Sequence, residues 1–242
     1  MKAASLPAAV LFDMDGTLID TEPWWGEAEA AYARRFSKNW THEQAMAMVG
    51  RPIVVTGLAL KDFTGSPETP QEIGDWIGAY VADKGRVGPL PFRPGALELL
   101  AALREAGVPV ALVTSTFRPV VAPMLEGVPF DFDAVVTGSD VARLKPDPEP
   151  YLMAMEALGV TPEETVVLED SNAGVQAGLA AGARVIAIPH MVPVPPEPGL
   201  SRVASIEQVD FALLAQILGG TAVDTLGESA SSQSAGNEAA GS

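Results

Sequence analysis

The 242-residue chain contains no cysteine, and this one absence removes disulfides, thiolate nucleophiles and cysteine-type zinc sites together. It suits a reducing compartment, and a cytoplasmic location is expected. Basic residues are few: 15 Lys and Arg stand against 31 Asp and Glu, for a formal net charge of -16. Without clustered Lys and Arg, sequence-independent attraction to nucleic acid or to anionic lipid has no source. No apolar run approaches the ~18 residues of a membrane helix. Segment 1–9 runs into acidic residues without the longer apolar stretch of a signal peptide. Internal repeats, heptads and a Gly-rich dinucleotide fingerprint are also missing, and no feature sets an oligomeric state.

What is present is a globular composition: 48% hydrophobic and 19% charged residues, with a mean hydropathy of +0.20. Ala8 to Phe12 is a short apolar run ending in acids and Gly16, the pattern of a buried parallel strand that opens into a loop. Val108 to Val113, Ala134 to Val136, Thr165 to Leu168 and Arg184 to Ile188 repeat the plan. Between them lie helical patterns: Gly95 to Ala106, Pro150 to Leu158 with Leu152, Met155 and Leu158 on one face, and the Ala-rich Ala173 to Ala181. Alternating strands and helices predict an α/β fold, a Rossmann-like three-layer core with a parallel sheet, whose ligands bind at the carboxyl ends of the strands.

The first two strands lie about ninety residues apart, far beyond the ~30 of one crossover unit. The intervening stretch is helical, with Glu22 to Phe36 and Gln71 to Ala82 as its clearest helices and Gly85 to Pro94 as a turn region. The expected organisation is an α/β core from residues 1–19 and 92–218, a small all-helical domain from 20–91, and a disordered tail over 219–242.

Four polar motifs fall at successive strand ends. In Asp13-Met14-Asp15-Gly16-Thr17-Leu18, two carboxylates at i and i+2 can converge on one cation if the chain turns at Gly16. Taken alone, the same residues make an ordinary polar turn. Glu169-Asp170 precedes Ser171-Asn172-Ala173-Gly174, where the acids can face a magnesium ion while Ser171 or Asn172 caps a helix. For that ion Asp13, the backbone carbonyl of Asp15, Asp170 and Glu169 are the candidate ligands. Thr114-Ser115-Thr116 offers hydroxyls for phosphate oxygens or simple helix caps, and Lys145 in Leu144-Lys145-Pro146 offers a point cation or a solvated surface charge.

Together these motifs resemble the haloacid dehalogenase superfamily, in its phosphatase and beta-phosphoglucomutase-like branch, over about residues 8–215. The resemblance implies a magnesium-dependent phosphatase acting on a small phosphomonoester such as a sugar phosphate. Asp13 would be the nucleophile that becomes an aspartyl-phosphate, and Asp15 the acid/base. Thr114 and Lys145 would neutralise the phosphoryl oxygens, and Asp13, Asp15, Glu169 and Asp170 would form the metal set. Such a metal also answers how so acidic a protein holds an anionic ester. The helical insert resembles the family's substrate-choosing cap. Ser115 on the core and Trp24, Trp25 and Arg51 on the insert are the candidate substrate contacts, although each of the last three also reads as packing or surface.

Two other readings follow from the same motifs. A phosphomutase would pass the phosphoryl group to a sugar hydroxyl, but Trp25 stands where beta-phosphoglucomutases carry a cap His, and the Gly50-Arg51 spacing also differs. A receiver-type signalling domain accepts phosphate on a strand-end Asp, but at about half this length and with no insert.

Overall fold

The structure is a computed structural model and describes residues 6–226. Four short, largely apolar strands suit a sheet covered on both faces: β1 (Ala9–Phe12), β2 (Val110–Val113), β3 (Ala134–Val136) and β4 (Thr165–Glu169). With β5 (Arg184–Ala187) and β6 (Ser201–Arg202) they make one parallel sheet in the order β3-β2-β1-β4-β5-β6. β1 is central, with Val10 opposite Val110 on one side and Val166 on the other. This register places the carboxyl ends of β1, β2 and β4 side by side.

The pleat sends alternate side chains of β1 into separate cores. Val10 and Phe12 pack with Leu100 and Leu103 of α5 (Ala96–Glu105) and Leu214 of α9 (Phe211–Leu218). Ala9 and Leu11 pack with Tyr151 and Met155 of α7 (Glu149–Leu158) and Ala177 of α8 (Asn172–Ala180). The three-layer α/β expectation is met. The inward stripe of α7, however, is Tyr151, Ala154 and Met155, and Leu152 faces solvent at 43% exposure. Met155 of the predicted face is buried and Leu158 packs against the same core, so only Leu152 falls outside it.

Between β1 and α5 run α1 (Glu22–Arg34), α2 (His42–Met46), α3 (Ile53–Thr64) and α4 (Pro70–Val87). Capping boxes open α2 (Thr41 with Gln44) and α4 (Thr69 with Glu72), satisfying backbone donors that would otherwise be orphaned. Gly85 lies inside α4 and not in a turn. A Cβ there would come within 2.6 Å of Met124 Cγ, a residue of α6 (Arg118–Leu125) that packs on this helix. Close packing, not chain reversal, accounts for that glycine.

The chain enters and leaves these helices through two adjacent segments. Ile19 bridges Phe92, Asp20 N–H donates to Pro91 O at 2.8 Å, and Arg93 N–H donates to Leu18 O at 2.9 Å. His190 sits against both, 2.9 Å from Asp20 Oδ1 and 2.7 Å from Arg93 Nη1.

The expected tail begins too early at 219. Arg202 N–H donates to Val223 O at 2.7 Å and its guanidinium pairs with Asp224 at 2.6 Å, which ties this stretch to β6. The rest of that expectation, residues 227–242, lies outside the described residues. Among the described residues no helix is long and apolar enough to cross a membrane.

Candidate active site

Asp13 follows β1 directly, and its N–H donates to Leu168 O at 3.0 Å, so the loop leaves the sheet locked to β4. Gly16, at φ 85°, lets the loop turn back. A Cβ at Gly16 would stand 2.1 Å from Asp170 Oδ2, so the two loops approach only because that atom is absent. Carboxylate oxygens of Asp13, Glu169 and Asp170 gather within 4.8 Å of one another, and all three residues are buried.

Lys145 reaches into this cluster from the loop before α7. Its Nζ donates to Asp13 Oδ1 at 2.7 Å, Glu169 Oε1 at 2.6 Å and Val113 O at 2.9 Å, using all three donors. Glu169 also accepts from Tyr151 OH at 2.7 Å and Ser171 Oγ at 3.0 Å. Ser171 Oγ in turn caps α8 by accepting from Gly174 N–H. Ser171 is thus the cap while the neighbouring acids gather at the site, the compatibility the sequence suggested.

Three buried acids against one ammonium leave a surplus of negative charge. Burial, then Glu169, push the Asp13 carboxyl up to about 8 against the pull of Lys145. Burial, then Asp13 and Glu169, raise Asp170 well above the carboxylate range. Burial opposes the charge on Lys145, yet Asp13 and Glu169 override it and hold the amine above its ordinary value. A hard divalent cation among the three carboxylates would relieve that repulsion. The all-oxygen donor set fits one.

Asp15 faces elsewhere. Its Oδ1 accepts from Thr21 Oγ1 and from Trp25 Nε1 at 3.3 Å; its Oδ2 accepts from Thr116 Oγ1 at 2.7 Å and Thr114 Oγ1 at 3.3 Å. Its carboxylate is therefore not in the acidic cluster, and only its backbone carbonyl stays a candidate ligand, as read from the sequence.

A cavity of roughly 1110 Å³ joins this centre to the helical insert. Asp13, Asp15, Thr114, Ser115, Lys145 and Asp170 line its floor, and Trp25 and Arg51 line its helical wall. Trp24, the neighbour of Trp25, does not line it and packs into the core. Adjacent helical residues point about 100° apart, so only one of the pair reaches the cleft.

Sequence reading missed Thr21 and Tyr151 at the centre and Glu22, Glu29, Trp40 and Thr56 on the helical wall, and gave Thr116 only as part of its hydroxyl triplet. Thr116 carried a signal, because it belongs to the same strand-end hydroxyl triplet as Thr114. The others depend on tertiary packing.

A haloacid dehalogenase-like hydrolase family model matches residues 7–182. Hexitol phosphatase A of Escherichia coli (strain K12) is 35% identical over 180 residues, covering 74% of this chain and 81% of that protein. The phosphorylated carbohydrates phosphatase of Thermotoga maritima is 35% identical over 193 residues, covering 75% and 85%. The crystal structure of CbbY from Rhodobacter sphaeroides in complex with phosphate superposes with a TM-score of 0.75 at 26% identity, covering 84% of this chain and 96% of that one. By motif, geometry and these likenesses, the chain belongs to the haloacid dehalogenase-like hydrolases.

Proposed function

We propose that this enzyme hydrolyses a small phosphomonoester with Asp13 as nucleophile, and that magnesium is its cofactor. The observation that carries the reading is Asp13 itself: a buried carboxylate clamped by Lys145 and grouped with Glu169 and Asp170, with the separately held Asp15 lining the same cavity. The phosphatase names of the relatives support the reaction class.

Asp13, Glu169 and Asp170, with the Asp15 carbonyl, would hold the ion, which supplies neutralisation of the phosphoryl charge. The residues do the rest. An Asp13 carboxylate oxygen forms a bond to phosphorus as the ester P–O bond breaks, and Asp15 gives its proton to the leaving alkoxide. Asp15 then removes a proton from water, whose oxygen attacks phosphorus and frees the Asp13 carboxylate together with inorganic phosphate. Lys145, Thr114 and Ser115 hold phosphoryl oxygens during both steps.

The helices over 20–91 act as a cap that excludes water, with Trp25 and Arg51 in contact with the leaving group. A cytoplasmic setting is part of the proposal, supported by the absence of cysteine.

The test is a magnesium-dependent phosphate-release screen over phosphorylated metabolites, with Asp13→Asn as blank. We expect turnover by the native chain and a loss of at least ~1000-fold in the variant, the scale for removing a covalent nucleophile. A variant within tenfold of native removes Asp13 from that role. Conversion of beta-glucose 1-phosphate to glucose 6-phosphate without phosphate release would replace hydrolysis by the mutase reaction.

A further inference from the structure

The floor of the cavity and its helical wall differ in how their polar groups are satisfied. Glu29 on α1 is buried at 5% exposure, and its one hydrogen bond is from Trp40 Nε1 to Oε2 at 2.9 Å. The second oxygen has no protein donor among the described residues. Thr56 on α3 is buried at 3% exposure, lines the same cavity, and its hydroxyl makes no hydrogen bond among the described residues. Neither of these oxygens is fully enclosed by protein, so both face the cavity they line. Polar groups of largely buried residues that face a cavity with no protein partner are available to a ligand there.

Position adds a length. Glu22, Trp25 and Glu29 share one face of α1, at i, i+3 and i+7. Glu22 lies close enough to Asp15 and Asp170 for their charges to act on one another. Glu29 lies seven residues further along, about 10 Å down the helix axis. A molecule whose phosphate lies at Asp13 reaches Glu29 only if its carbon chain is several atoms long, so a two-carbon ester falls short.

Charge adds a sign. The arginines of the wall, Arg51 and Arg86, are exposed, and Arg86 is already paired with Asp83 at 2.7 Å. Deeper in, the charged side chains on the helical side are Glu22 and Glu29. A second anionic group on the substrate would therefore approach buried carboxylates with no buried cation to receive it.

We infer that the helical wall is a subsite for an uncharged, hydroxyl-rich carbon chain, in which Glu29 accepts from a substrate hydroxyl and Thr56 pairs with another. Trp25 and Trp40 supply apolar surface beside it. The substrate class is a phosphorylated polyol or open-chain sugar, and short phosphorylated acids are rejected. The inference rests on the phosphomonoesterase reading above and adds the specificity-determining residues.

Initial rates with magnesium are compared for sorbitol 6-phosphate, phosphoglycolate and p-nitrophenyl phosphate at pH 8, where Glu29 is ionised. The readout is the ratio of kcat/KM for sorbitol 6-phosphate over phosphoglycolate, which partial misfolding leaves unchanged. We expect a native ratio of at least ~100, and a fall of ~10-fold or more in Glu29→Gln because the polyol is held less and the acid is repelled less. The near-isosteric Thr56→Val should lower the ratio by ~5–10-fold through KM for the polyol ester. A native ratio near or below 1, or variants that leave the ratio unchanged, overturns the subsite. No hydrolysis of p-nitrophenyl phosphate by the native chain overturns the phosphatase reading itself, and the subsite with it.

Discussion

The two ends of the cavity are built on opposite principles. At the sheet end Asp15 accepts four hydrogen bonds and Glu169 accepts from Lys145, Tyr151 and Ser171, so each side chain is fixed before any ligand arrives. At the helical end Glu29 has one partner and Thr56 none among the described residues. In the proposed mechanism, the groups that act alike on every substrate are the ones held by the protein. In the proposed subsite, the groups that distinguish substrates are left for the substrate to complete.

The strongest way to break this contrast is to remove the cation at the sheet end. Lys145→Met leaves Asp13 and Glu169 buried together without their shared partner. Unfolding free energy in metal-free buffer near neutral pH should fall by about 3–5 kcal/mol, as for other severed buried ion pairs. Urea denaturation measures it, and magnesium should restore part of the loss by binding the folded state. A loss below ~1 kcal/mol would mean that the sheet end is not held together by charge.

The helical end has a pH signature of its own. Burial raises Glu29 from 4.5 to about 7, with Trp40 partly opposing the shift and Glu22 adding to it. The folded chain therefore binds more protons than the unfolded one between those values. Its contribution to stability is full below about 4.5 and is lost as pH rises through about 7. Over that window Glu29→Gln should flatten the native stability profile by on the order of 2–3 kcal/mol. Parallel profiles for the two proteins would place Glu29 in an environment no drier than the surface.

Tyr151→Phe is the smallest test and the one that sharpens the contrast most. It deletes one of several bonds to Glu169 while Lys145 and Ser171 remain. About 1 kcal/mol of stability should go, with a modest weakening of magnesium binding followed by calorimetry. A much larger loss would show that the network acts as one unit and not as separate contacts.

The same contrast explains what the sequence disclosed. Asp13, Asp15, Glu169 and Asp170 were readable because each follows an apolar strand, and strand ends in a parallel sheet converge whatever else happens. Lys145 was readable only in company with them. Tyr151 was hidden because α7 carries apolar residues on two neighbouring stripes, with Met155 common to both. Glu29 and Thr56 were hidden more deeply. A glutamate in an exposed-looking helix becomes a buried acceptor only when Trp40, eleven residues on, folds back over it. Likewise residues 221–226 lack the apolar runs that mark a strand, and Arg202 still recruits them through Asp224 and backbone pairing.

Asp15 is gripped from two directions: Thr114 and Thr116 lie in the loop after β2, whereas Thr21 caps α1 and Trp25 stands on it. Any swing about the paired segments 18–20 and 91–93 that carries Thr21 and Trp25 away strips that carboxylate of half its donors and leaves the other half in place. The hydrogen bonding of Asp15 is thereby tied to the placement of the helices by four side chains.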